Sequence, residues 1–371
     1  MSKSSLELTG YHNYMRILFD EQIFLLQKRG GISRYFTELI KTFMQHPELR
    51  VEPILNIKNT SNEALLNLSK ELGLGITRSS APKSLQIAQS ITTRALSFPK
   101  VDLLHHTFYS KIYWHAAYKG PRTSTHYDMI PETFHETRLG INPHLSKRWY
   151  FKNVDHIFSI SNSAKQDLLR IWPDIDIPIS ITHLGKPKVS DHGSMRIQGY
   201  IIFVGSRRGY KDAETLIRAF AKLPEHLRFK LEFLGGDGFT QAEKDLISSL
   251  GISKNVWQRN VTDLELFKAY GKAHLFVFPS RYEGFGLPAL EALQLGCRSI
   301  LSNAPALREV AGTCADYFAA GDVDELTNTL VNALVEGVEQ NPHLESGINL
   351  AKNFSWLQTA KETAKTYHSL T

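Results

Sequence analysis

Cysteine is nearly absent from this chain. Only Cys297 and Cys314 occur in 371 residues, too few for a disulfide framework and in keeping with a reducing compartment. Long apolar runs are also missing. The longest, such as Leu275–Pro279 and Tyr200–Val204, are strand-sized and far short of the ~20 residues that span a bilayer. Residues Met1–Gly10 are polar and carry no apolar signal core, so the chain is expected in the cytoplasm. The sequons at Asn59, Asn67 and Asn353 then carry no weight. No Cys/His ligand spacing is present. Asp174-Ile-Asp176 has the form of a metal-binding pair, but it lies in a proline-flanked loop rather than after a strand, so no metal site is expected. No basic helix or aromatic platform accompanies the charge, which argues against nucleic acid.

What is present describes an ordinary globular chain, 42% apolar and 22% charged, long enough for two domains. The net charge of +6 is uneven. Residues 1–190 hold 24 basic against 16 acidic side chains, and residues 191–371 hold 19 against 21. A basic first half suits solvation, an anionic substrate or an anionic membrane face.

Short apolar strands alternate with helical patterns, which predicts α/β architecture with parallel sheets. Arg16–Phe19, Val101–His105, Thr123–Tyr127 and His156–Ile160 are strand candidates in the first half. Ile32–Gln45 shows apolar residues at helical spacing, and Ser163–Ile171 a helix opened by a serine cap. A second set runs Tyr200–Val204, Phe229–Leu234, Asn255–Gln258, His274–Phe278 and Ser299–Leu301. Helices are expected over Glu214–Ala221, Gln241–Leu250, Asp263–Ala269, Leu287–Leu295 and Asp322–Val335. Thr182–Gly199 reads as the linker. Two Rossmann-like domains facing a cleft follow, 1–190 and 191–355, with a closing helix from Trp356 packed back on the first.

Four segments carry chemistry. Pro279-Ser-Arg-Tyr-Glu-Gly-Phe-Gly-Leu-Pro-Ala-Leu-Glu291 follows a buried strand and opens a helix. Its glycines, Gly284 and Gly286, let backbone approach a ligand, and the helix start suits a phosphate. Glu283 and Glu291 flank the turn, and a carboxylate accepts two hydroxyls, as a vicinal diol requires. Phe203-Val-Gly-Ser-Arg-Arg-Gly-Tyr-Lys-Asp212 places Arg207, Arg208 and Lys211 after another strand, where cations can neutralise a diphosphate. Lys28-Arg-Gly-Gly-Ile-Ser-Arg34 is a glycine turn running into a helix. Ser124-Thr-His-Tyr-Asp-Met-Ile-Pro131 follows a strand whose C-terminal end should point into the cleft.

These segments resemble retaining GT-B glycosyltransferases of glycosyltransferase family 4, with the likeness strongest over residues 200–322. The resemblance implies that Glu283 contacts the donor sugar at the reacting centre and Glu291 the ribose hydroxyls. It implies that Phe285, Gly286 and Leu287 meet the donor through their backbone, and that Arg207 and Lys211 bind the diphosphate. The extra Arg208 leaves the arginine assignment open by one place, and Asp212 stands where the family often has Asn. Gly205, Gly284, Gly30 and Gly31 fall at donor-binding positions, His126 at a catalytic one. His105, His106, Asp128 and Arg34 are candidates for the acceptor side. Gly235-Gly-Asp-Gly238 resembles the family's second glycine loop, and Val256–Val261 falls where the nucleobase is read, with Asn260 in place of the usual glycine.

The resemblance further implies transfer of a hexose from a nucleoside-diphosphate sugar, GDP-mannose being favoured, without cofactor or metal. The acceptor would be a glycan or lipid-linked saccharide in bacterial O-antigen, lipopolysaccharide or capsule synthesis, with peripheral contact at the inner membrane face. The alternatives are a UDP-hexose donor, a nucleotide-sugar epimerase of the same architecture, and a non-catalytic sugar- or membrane-binding protein.

Overall fold

A computed structural model describes residues 14–134, 143–188, 195–207 and 209–371. Two six-stranded sheets form the centres of two lobes, and every strand pair in them is parallel. The first sheet runs, in spatial order, Val51–Leu55, Met15–Phe19, Leu103–His106, Arg122–His126, His156–Ser159 and Ile179–Ile181. The second runs Val256–Arg259, Lys230–Leu234, Ile197–Val204, Ala273–Phe278, Arg298–Ser302 and Asp316–Phe318.

Strands with helices on both faces need apolar residues on both. Ala273–Phe278 is buried at all six positions, and from Leu275 on it reads as an unbroken apolar run. The sequence pattern shows no strand over Val51–Leu55, because Pro53 interrupts it. That strand lies at the sheet edge, where proline's missing N–H leaves no ladder bond unmade.

In the second sheet the chain reverses its direction of travel between Ile197–Val204 and Ala273–Phe278, which pair directly. A parallel sheet opens its binding crevice at such a point, outside the C-terminal strand ends. The loops leaving these two strands are 205–212 and 279–286, the two segments with the most chemistry in them.

The helix Asn162–Ile171 begins one residue earlier than its serine pattern suggests. Ser161, not Ser163, caps it, accepting from the amide of Ala164 at 2.9 Å. The last helix, Trp356–Leu370, crosses back to the first lobe. Its Trp356, Ala360, Ala364 and Tyr367 are buried in the same core as Phe36, Leu39 and Phe43 of the helix Gly31–Gln45. Among the described residues no helix is long and apolar enough to cross a membrane. The boundary expected at 190/191 falls outside the described residues.

Candidate active site

The loop after Ile197–Val204 is shaped by two unusual backbone positions. Gly205 has φ 113° and Asp212 φ 49°. Asp and Asn are the side chains that best tolerate this left-handed region, which accounts for Asp212 at a place where Asn would also serve. The Asp212 carboxylate accepts from Arg281 Nε at 2.8 Å and Thr215 Oγ1 at 2.9 Å, and the Arg281 amide donates to the Tyr210 carbonyl at 2.7 Å. The two loops at the switch point are thereby fastened to each other.

That fastening brings Lys211 onto Glu283. Lys211 Nζ donates to Glu283 Oε1 at 2.6 Å and lies 4.8 Å from the Phe278 ring centre. Glu283 is 8% exposed. A cation and a carboxylate thus meet beside a glycine-led helix start. Gly286, at φ 103°, precedes the helix Leu287–Gln294. A side chain there would be strained, and its Cβ would come within 2.6 Å of Leu307 Cδ2. Phe285 turns its ring away from this place, toward His183 and Phe354.

Arg207 does not join this cluster. Its guanidinium turns back into its own lobe, where Nε donates to Glu243 Oε1 at 2.9 Å and Nη2 to the carbonyls of Asp237 and Gly238 at 2.5 and 3.0 Å. It ties the glycine loop 235–238 to the helix Gln241–Ser249, whose capping box Glu243 completes. Arg208 lies outside the described residues. Of the diphosphate pair expected from sequence, Lys211 is the member that reaches this cluster among the described residues.

Glu291 is buried about one turn into its helix and faces the other lobe. Its Oε1 accepts from Arg34 Nη1 at 3.0 Å, and its Oε2 from the Tyr270 hydroxyl at 3.3 Å. Burial pushes the Glu291 carboxyl up, with Arg34 and Tyr270 opposing the rise. Arg34, an acceptor-side candidate from sequence, thus reaches the donor-side carboxylate. Beside this pair lies a groove of about 660 Å³, between Gly30, Gly31 and Arg34 on one wall and Val261, Asp263 and Leu287 on the other. Its size is that of a ligand site. A second hollow of about 620 Å³, at Arg228 and Lys254, sits at the opposite, N-terminal ends of the strands.

The lobes touch through the loop that holds Glu283. The Gly284 carbonyl accepts from Ser161 Oγ at 2.6 Å, and the Tyr282 hydroxyl accepts from the Met129 amide at 3.2 Å. A Cβ on Gly284 would sit 2.0 Å from the Tyr127 carbonyl oxygen and 3.2 Å from Asp128 Cβ. Asp128 therefore borders the Glu283 loop, half-buried, with Oδ1 accepting from the Ile130 amide at 3.0 Å.

Three histidines expected at the cleft are sealed inside the first lobe, each 0% exposed. His126 Nε2 bonds the Ala164 carbonyl at 3.0 Å, and burial drives its pKa well below the usual imidazole range. His105 lies between the Tyr367 hydroxyl at 2.5 Å and Thr125 Oγ1 at 2.8 Å, and burial lowers it to about 3. His106 Nδ1 faces Asp20 Oδ2 at 2.8 Å, and its ring stacks on Trp114. The expectation assumed that a strand's C-terminal end faces the cleft. Here the pleat turns these side chains under the covering helices instead.

Sequence reasoning passes over Tyr270 and Glu309, and it gives no site role to Tyr282 or to Ser161, which reads from sequence as part of a structural loop before the helix. Glu309 accepts from the amides of Asn162 and Ser163 at 2.7 and 2.8 Å, and bonds His183 Nε2 at 2.8 Å. These contacts join residues over a hundred positions apart, so no local spacing signals them. Asp174 is held by Arg148 and Lys152. Among the described residues no three His, Cys, Asp or Glu side chains gather as metal ligands.

Residues 191–339 match the family model of glycosyl transferases group 1. The chain is 30% identical over 258 residues to the serotype-specific mannosyltransferase WbdA of Escherichia coli, an alignment covering 63% of this chain and 32% of that protein. It is 31% identical over 178 residues to the O-antigen chain mannosyltransferase B of Escherichia coli, covering 47% of this chain and 46% of that protein. The chain thus spans from just under a third to just under half of the length of these relatives. Among solved structures, sucrose-phosphate synthase from Thermosynechococcus elongatus superposes with a TM-score of 0.73 at 16% identity, over 96% of this chain and 99% of that one. The fold is GT-B: two α/β domains with parallel sheets.

Proposed function

We propose that this protein is a retaining hexosyltransferase that moves mannose from GDP-mannose to a glycan or lipid-linked acceptor in the synthesis of a bacterial surface polysaccharide. The observation that carries the reading is the Lys211–Glu283 pair, 2.6 Å apart at the switch point, beside the helix that Gly286 opens. The family match over the second lobe and the mannosyltransferase names of the relatives support it.

In the reaction proposed, the donor's diphosphate takes Lys211 away from Glu283 and rests its charge on the ammonium and the helix start. Glu283, released, accepts from the donor sugar and favours the positive charge that develops at the anomeric carbon. The acceptor hydroxyl enters past Asp128 on the face the phosphate leaves, and the departing phosphate oxygen takes its proton. No histidine base is used in this scheme, in keeping with the burial of His105, His106 and His126. A cation and a helix dipole supply the charge stabilisation, so the scheme needs no metal. The basic surplus of the first lobe would favour an anionic, membrane-borne acceptor.

The test is release of nucleoside diphosphate from GDP-mannose, UDP-glucose and UDP-galactose, with and without lipid-linked acceptor, in the presence and absence of EDTA. GDP release dependent on acceptor and insensitive to EDTA, with an α-linked product by NMR, is the expected result. Release from UDP-sugars alone would move the donor assignment, and product formed without acceptor would point to epimerisation.

A further inference from the structure

Arg34 lies one turn into the helix Gly31–Gln45, its amide bonded to the Gly30 carbonyl at 3.2 Å. From there it crosses to the second lobe and meets Glu291, a carboxylate 4% exposed. A carboxylate has about four lone-pair sites. Arg34 occupies one on Oε1 and Tyr270 one on Oε2, leaving one on each oxygen. That is the arrangement a vicinal diol needs, since its two hydroxyls then donate to two oxygens of one rigid group. We infer that Arg34 is a positioning residue for the nucleotide, holding Glu291 ionised and aimed so that it accepts both ribose hydroxyls, and so completing the nucleotide site only while the lobes are closed. This rests on the donor reading above.

The electrostatics favour it. Burial pushes Glu291 toward its neutral form, and Asp263 adds to that push. Tyr270 stays protonated, raised by burial with Glu291 and Cys297 adding to the rise. Arg34 is the one cation bonded to the carboxylate among the described residues. Without it the group gains a proton more readily, and a protonated carboxyl presents one acceptor fewer. The planar guanidinium also fixes the carboxylate plane, which an ammonium does not. The groove of about 660 Å³ opens beside the pair, with Gly30 and Gly31 on the same wall as Arg34.

The test is calorimetric titration of GDP and of UDP between pH 6.5 and 8.5. Arg34→Gln should weaken binding of the preferred nucleotide by roughly tenfold at pH 6.5, the size of one lost charge-assisted contact, and recover part of it at pH 8.5. Arg34→Lys should fall between Gln and wild type. Arg34→Met carries the same expectation should the Gln variant not fold. In a Glu291→Gln background, Arg34→Gln should cost nothing further. Lys222→Ala, which removes an exposed cation paired with Asp324 outside the groove, should leave binding unchanged. Wild-type affinity in both Arg34→Gln and Arg34→Met at every pH, or an undiminished loss in the Glu291→Gln background, would overturn this inference alone. Absence of any nucleotide binding by the wild-type protein would overturn the donor reading and this inference with it.

Discussion

Glu309, on the second lobe, caps the helix that carries Ser163 in the first, accepting from the Ser163 amide at 2.8 Å. A helix N-terminus offers free N–H groups and a partial positive charge, and here a partner from across the cleft joins Ser161 in satisfying them. The Asn162 amide and His183 Nε2 share the same carboxylate.

Glu309→Ala is expected to loosen the closed arrangement by about 1 kcal/mol, the usual worth of a helix cap, while each lobe stays folded. Small-angle scattering should show a larger radius of gyration, with little change in far-UV circular dichroism. Burial pushes the Glu309 carboxyl upward, but His183 and the two amides outweigh it, and its pKa lies below the ordinary value. A depressed carboxylate stabilises above its unfolded pKa and loses that contribution as pH falls through the folded one. The latch should therefore persist at neutral pH and open only in acid, below about pH 4.5.

Gly284→Ala should separate the lobes more severely. The added methyl would meet the Tyr127 carbonyl oxygen at 2.0 Å, and a backbone atom cannot step aside as a side chain can. Transfer should fall by roughly a hundredfold if closure assembles the site, with the melting of each lobe little changed. Unaltered turnover would show that catalysis does not need this contact.

Arg207 and Lys211 should separate in their effects. Arg207→Ala strips four hydrogen bonds that tie the loop 235–238 to the following helix, so about 2–3 kcal/mol of stability should be lost. Lys211→Ala should leave the melting temperature near wild type and lower the transfer rate. Glu291→Ala should chiefly weaken donor binding. Equal melting of the two basic-residue variants would argue against the structural role given to Arg207.

The sealed histidines make the fold sensitive to mild acid. Burial lowers His105 to about 3, and His156 and His274 to about 4. A group whose folded pKa lies below its unfolded one is neutral when folded and charged when unfolded, so stability falls as pH drops below about 6.5. For His105 alone the loss at pH 5 is about 2 kcal/mol. The melting temperature should fall from pH 7 to pH 5, while Glu309 remains ionised. His105→Gln should flatten that slope.

The periodicities were a good guide to the sheets and poor for particular side chains. His274–Phe278 and Tyr200–Val204 announce themselves as buried parallel strands because almost every position on both faces is apolar. Their following loops then had to meet at one crevice, and Lys211 and Glu283 did. Arg207 was as good a phosphate ligand by spacing as Lys211. Its direction depends on the carbonyls at 237 and 238, which no nearby residue reveals. His105, His106 and His126 show the same limit, since a strand's C-terminal end fixes a position along the sheet but not whether a helix covers it.

Residue order alone determined the alternation of strand and helix, the two parallel sheets, and the glycine turns that precede helix starts. These follow from backbone sterics and from burial, which act over a few residues. Tertiary structure decided the pairings: Arg34 with Glu291, Ser161 with Gly284, Glu309 with the helix start at Asn162. A hydrogen bond depends on distance and direction in space, and two lobes brought face to face create such geometry between residues that are remote along the chain.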